Sequence, residues 1–164
     1  MIKKRNAPQG YDNLIKEISA RFDASERFSA LLVSRGVTDL EKAEAFLYPN
    51  KKRLHDPFLL DGMKEATERL SEAKNNGETV VIYGDYDADG ICSSAIMYYA
   101  LQEYGVRARI YVPERTDGYG LSRAGIDRIF ADGKPDLFLT VDCGVSCKDE
   151  VAYIRSLGTE VIVT

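Results

Sequence analysis

Apolar positions along this chain change their period once, near residue 77. Before that point they recur at helical spacing, with Leu14, Ile15 and Ile18 inside Tyr11 to Arg21, and Phe28, Leu31 and Leu32 inside Ser25 to Arg35. Each set predicts a short amphipathic helix. Gly36 is a natural stop, and Thr38 with Glu41 makes a T-x-x-E capping box that starts a third helix bearing Ala43, Phe46 and Leu47. Pro49 ends it. A loop containing KKR and Asp56-Pro57 leads to a fourth predicted helix, Met63 to Lys74, closed by the Asn75-Asn76-Gly77 turn.

From residue 79 onward strand and helix alternate. The run TVVIY is followed by a helix from Ile91 to Tyr104, RARIYV by one from Ser122 to Phe130, and LFLTV by one from Lys148 to Leu157, before a last run EVIV. Short, β-branched apolar runs separated by helices predict βαβ units, a parallel sheet and right-handed crossovers. Glycines 105, 133 and 158 stand where each helix should end. The expected fold class is α/β: a Rossmann-like open, mostly parallel sheet over 78–164, with a helical N-terminal extension over 1–77. The last run leads straight into Thr164, where open α/β sheets place ligand residues, so the sheet domain reads as cut short.

Composition narrows the classes. With 164 residues, 45% hydrophobic and 29% charged, the chain supports one core of ordinary size plus a small appendage. No apolar run is long enough for a membrane span, and the basic start MIKKRNAPQG is not followed by the apolar segment of a secretory signal. A cytoplasmic protein with no membrane partner is expected. Cys92, Cys143 and Cys147 are an odd set that argues for free thiols, and a zinc site would lack a fourth ligand, since the one histidine, His55, is remote in sequence. The net charge of −4 argues against a coat that binds nucleic acid by charge alone. It leaves room for a local groove, or for cations bridging protein carboxylates to phosphates.

The candidate chemistry lies at two predicted strand ends. In DYDADG, Asp85, Asp87 and Asp89 follow the first strand, and Gly90 opens the next helix. Alternate residues of an extended segment point one way, so the three carboxylates are expected to converge. Hard cations such as Mg²⁺ and Mn²⁺ prefer such oxygen ligands, and carboxylates this close repel one another without a cation. Solvated turn residues or helix caps are the plainer reading of any one of them. An EF-hand loop shares the D-x-D-x-D-G start but needs a Glu where Ile96 stands, and a helix where a strand precedes. LFLTVDCGVS places Asp142 at the end of the third strand, on the same sheet edge, where four carboxylates suffice to bridge two metals.

With these residues in view, the chain resembles the RecJ-like single-strand-specific exonucleases of the DHH phosphoesterase superfamily. The resemblance runs through AEAFLYP, LHDPFLLDGM, YGDYDADG, VPERTDGYGLS and TVDCG, in that order. It implies metal binding by Asp85, Asp87, Asp89 and Asp142, with Mn²⁺ or Mg²⁺ as cofactor and Asp87 and Asp142 as the catalytic pair. It also implies stepwise cleavage of single-stranded DNA from the 5′ end in DNA repair and recombination, alongside other repair or replication proteins. In the loop after the second strand, Arg115 suits a phosphate and Tyr119 a stacked base, although a solvated Arg and a packed turn Tyr are the plainer readings. Ser93, with Ser94, begins the helix after the metal cluster, where serines either donate to phosphate or cap locally. Cys143 and Cys147 are expected to be buried small residues.

The superfamily's third motif, Asp-His-His, is expected just after VIVT, where this sequence stops, together with a further acidic motif and a second catalytic domain. The polypeptide by itself is therefore expected to bind divalent cations weakly and to have little nuclease activity. Two other functions compete: a DHH phosphodiesterase for short oligonucleotides or cyclic dinucleotides, and a noncatalytic RecJ-like scaffold for replication proteins. The GDYDADG form and the helical leader favour the exonuclease, and four retained aspartates count against a scaffold.

Overall fold

The computed structural model describes residues 10–118 and 120–164. The chain forms two compact units, Met1–Pro57 and Phe58–Thr164. In the first, helices α1 (Asp12–Arg21), α2 (Glu26–Ser34) and α3 (Leu40–Leu47) bury Ile15, Ile18, Leu32, Val33, Val37 and Ala43 together. Phe28, Leu31 and Phe46, which helical spacing placed on apolar faces, remain exposed. The cap of α3 differs from the expected box. Asp39, not Thr38, accepts the Lys42 backbone N–H at 2.7 Å, while the Thr38 hydroxyl accepts from the Lys42 ammonium. A carboxylate is the stronger acceptor, and moving the cap by one residue takes Glu41 out of the reciprocal position.

The second unit holds α4 (Met63–Asn76), β1 (Thr79–Gly84), α5 (Ala88–Tyr104), β2 (Arg107–Tyr111), α6 (Arg123–Ala131), β3 (Leu137–Val141), α7 (Lys148–Ser156) and β4 (Glu160–Val163). Its four strands are all parallel, in the order β2-β1-β3-β4. The central strands β1 and β3 are covered on both faces, which is why they read as unbroken apolar runs. Val80, Ile82, Leu137 and Leu139 pack with Ala73 of α4 and Leu101 of α5 on one face. Val81, Tyr83 and Phe138 pack with Ile126 and Ile129 of α6 and Ile154 of α7 on the other.

The strand and helix runs of the sequence reappear within a few residues, with one exception that matters. Helix α5 starts at Ala88 rather than Ile91, which takes Asp89 and Gly90 into its first turn. Compactness divides the chain after Pro57, whereas the change of period falls near residue 77, because Leu70 and Ala73 give α4 an apolar face that joins the core of the sheet. Among the described residues, no helix is long and apolar enough to cross a membrane.

Candidate metal centre

Strands β1 and β3 are neighbours in the sheet, and the order of connection reverses between them, which opens a crevice at their C-terminal ends. Gly84 and Val141 are register partners, so Asp85 and Asp142 each stand one residue beyond paired positions on adjacent strands. Residues distant in sequence are thereby brought to one edge.

Two glycines make the approach of α5 possible. A Cβ on Gly84 would lie 1.9 Å from the Ser94 hydroxyl oxygen, and one on Gly90 would lie 2.4 Å from the Asp85 carbonyl oxygen. The helix N-terminus is thus pressed directly onto the strand end. Asp87 caps it, with Oδ1 accepting the Gly90 N–H at 2.9 Å, and Asp89 occupies the first turn, exposed. The expected alternation along an extended DYDADG is therefore corrected: the backbone turns into helix at Ala88, so the three carboxylates do not share a strand face. A capping Asp and the positive end of a helix dipole favour that early start.

Asp85 is fully buried. Its Oδ1 accepts the Tyr86 N–H at 2.6 Å, while Oδ2 is buried with no hydrogen-bond partner among the described residues. An orphaned carboxylate oxygen in such a place is costly unless a cation or water answers it. Asp142 is exposed and takes a left-handed backbone, φ 56°, uncommon for a residue other than glycine. Its turn is shaped by the Thr140 hydroxyl, which donates to the Cys143 carbonyl at 2.9 Å. Desolvation by neighbouring atoms raises the Asp142 carboxyl above its ordinary pKa, exposed as the residue is, and the charges of Asp87, Asp89 and Asp85 add to the rise. Burial, with Asp85 nearby, pushes the Cys143 thiol up to about 12. The three cysteines are free; Cys143 and Cys147 pack at the edge of the core, and Cys92 is exposed.

These donors fit a divalent cation in kind, being hard oxygens that repel one another around an unanswered buried atom. Among the described residues, however, no three His, Cys, Asp or Glu side chains stand assembled to hold a metal ion.

The loop after β2 borders the centre. Arg115 begins a single 3-10 turn, Arg115–Asp117, and its guanidinium lies over the Tyr86 ring, 5.6 Å from the centroid. Tyr119 lies outside the described residues. Ser93 and Ser94 both turn their hydroxyls inward, donating to the Gly90 carbonyl at 3.2 and 2.7 Å.

Several supporting residues carry little or no signal in the sequence. The buried Tyr83 hydroxyl donates to the Gly120 carbonyl at 3.0 Å and accepts the Ser122 N–H at 3.3 Å, tying the far end of the loop to the sheet. Asp117 receives both arms of Arg128, at 2.5 and 2.9 Å. Strand alternation offers a hint for Tyr83; nothing local in the sequence links Asp117 to Arg128, or marks Tyr86 as the partner of Arg115.

The model of the DHH family, N-terminal domain, matches residues 79–164. The single-stranded-DNA-specific exonuclease RecJ of Bacillus subtilis is 35% identical over 151 residues, 92% of this chain and 19% of the relative. Its namesake from Escherichia coli is 38% identical over 139 residues, 82% of this chain and 23% of the relative. This chain thus spans about a fifth of the length of these relatives. Among solved structures, exonuclease RecJ bound to manganese aligns with TM-score 0.58 and 38% identity, over 64% of this chain and 27% of that one. RecJ from Thermus thermophilus in complex with Mn²⁺ aligns with TM-score 0.62 and 29% identity, over 91% of this chain and 20% of that one.

Proposed function

The chain belongs to the DHH family, and from that membership we propose that it forms part of a metal-dependent phosphodiesterase acting on single-stranded DNA from its 5′ end, in repair and recombination. The observation that carries the reading is the sheet edge where Asp85, with a buried oxygen unpartnered among the described residues, and Asp142, in a left-handed backbone, each follow register-paired strand residues. RecJ relatives named for single-stranded DNA, and RecJ structures with manganese bound, support the substrate and the ion.

Asp85, Asp87, Asp89 and Asp142 are the residues that would hold Mn²⁺ or Mg²⁺. A bound divalent cation supplies charge to neutralise phosphate oxygens and lowers the pKa of a bound water. The protein's own groups do the rest. Asp87 and Asp142, from two different strand ends, fix where the reacting phosphate must sit. Arg115, exposed and close to Tyr86, offers a forked donor to a phosphate. Tyr119 is assigned to stacking on a base, and Ser93 to a phosphate after its hydroxyl leaves the Gly90 carbonyl.

We propose that this polypeptide by itself binds cations weakly and cleaves little DNA, since Asp87 is engaged as the cap of α5 and Asp89 lies in its first turn, off the strand that carries Asp85. Thermal melting in a Mn²⁺ series, with a 5′-labelled single-stranded DNA digest in parallel, tests both statements. A saturable rise in melting temperature without processive cleavage is expected. No response to Mn²⁺ would remove the metal reading, and processive degradation would remove the claim of low activity.

A further inference from the structure

Side-chain contacts hold the stretch that carries Arg115 near its start, at Asp117, and at its far end, at Gly120 and Ser122. At its start, the Asp117 side chain is 7% exposed and its Oδ2 accepts the Glu114 N–H at 3.2 Å, closing the 3-10 turn. The same carboxylate takes a two-armed contact from Arg128 on α6, and Arg128 Nη1 also reaches the Tyr111 hydroxyl at 3.4 Å. Tyr111 stacks on Tyr83, with ring centroids 5.3 Å apart, and the Tyr83 hydroxyl fixes Gly120 and Ser122 at the far end. In this turn the Arg115 guanidinium lies over the ring of Tyr86, within DYDADG.

We infer that the Asp117–Arg128 pair is a positioning device: it holds the 3-10 turn so that Arg115 stands ready, beside the aspartates, to take a phosphate of the DNA strand. Asp117 and Arg128 are positioning residues, acting through Arg115 rather than on the substrate. The inference rests on the proposed reading of Arg115 as a phosphate ligand. Its physical basis is that a two-armed Arg–carboxylate contact fixes direction as well as distance. A long exposed arginine set in place beforehand loses less side-chain freedom on binding. The mutual hold also lowers the Asp117 carboxyl below its usual range, chiefly through the Arg128 hydrogen bonds.

Asp117→Asn gives the decisive test, because charge and position predict opposite outcomes. Removing a negative charge near an anionic ligand tightens binding on electrostatic grounds alone. Releasing Arg115 weakens it. The full chain and its Asp117→Asn, Arg128→Gln, Arg115→Ala and Asp117→Asn/Arg115→Ala variants are titrated against 3′-fluorescein-labelled oligothymidylate in Ca²⁺, by anisotropy at several salt concentrations. Tryptic cleavage after Arg115 is followed in the DNA-free proteins that retain it.

Expected are an affinity loss of about fivefold in Asp117→Asn and a salt slope shallower by about 0.7, the change that accompanies one fewer neutralised phosphate on a single strand. Arg115→Ala should match both values, the double variant should lose no more, and cleavage after Arg115 should quicken severalfold in Asp117→Asn and Arg128→Gln alike. Equal or tighter binding by Asp117→Asn with unchanged cleavage overturns the inference while leaving Arg115 as a ligand. Unchanged affinity and slope in Arg115→Ala overturn the phosphate reading itself, and the inference with it.

Discussion

Asp142 concentrates the tension of the centre in one residue. It holds a left-handed backbone, and its carboxyl titrates above the ordinary range through desolvation by neighbouring atoms and the charges of Asp87, Asp89 and Asp85. A carboxyl whose pKa is higher in the folded state costs no stability at low pH, and its penalty grows as pH rises from the unfolded value to the folded one. A cation reverses the sign by turning repulsion into attraction. Asp142→Asn should therefore melt slightly higher than the unaltered chain at neutral pH without metal, solvent screening keeping the gain small, yet lose most of the rise that Mn²⁺ gives. A melting series with and without Mn²⁺ reads both effects; an equal Mn²⁺ rise in the variant would exclude Asp142 as a ligand. The sequence pointed to this residue through its place after LFLTV, but the backbone conformation came from the Thr140–Cys143 turn and had no sequence signal.

Among the elements, the junction of β1 and α5 decides what DYDADG can do. Gly90 faces the Asp85 backbone so closely that a methyl group would meet the carbonyl oxygen at 2.4 Å, and backbone cannot step aside as a flexible side chain can. Gly90→Ala should destabilise the second unit by about 1–3 kcal/mol, the usual cost of overpacking, although alanine favours helices elsewhere. Chemical denaturation measures it, and a stabilised variant would mean that α5 does not press on the strand end as described. The apolar pattern starts this helix at Ile91, three residues late, since alternating Asp85, Asp87 and Asp89 fit an extended run as well. The winning influence was capping: Asp87 satisfies a helix N–H, and that ends the extended run.

At the scale of the whole molecule, two boundaries compete. The family match begins at residue 79, but the compact unit begins at Phe58, since α4 covers one face of the sheet with Leu70 and Ala73. A polypeptide of residues 58–164 should fold cooperatively and keep the Mn²⁺ response, whereas one of residues 78–164 should expose that face and aggregate or melt far lower. Circular dichroism and light scattering compare them, and equal stability would place α4 outside the core. The sequence by itself determined the α/β class, the parallel strands and the free thiols, and it put Asp85 and Asp142 at strand ends, because periodicity, glycine stops and carboxylate clustering are local signals. Only the tertiary structure decided that Asp87 is a cap, that Asp85 keeps a buried oxygen unanswered among the described residues, that α4 belongs with the sheet, and that Asp117 pairs with Arg128. Those outcomes depend on which surfaces meet after the chain has folded back on itself, and no window of neighbouring residues carries that information.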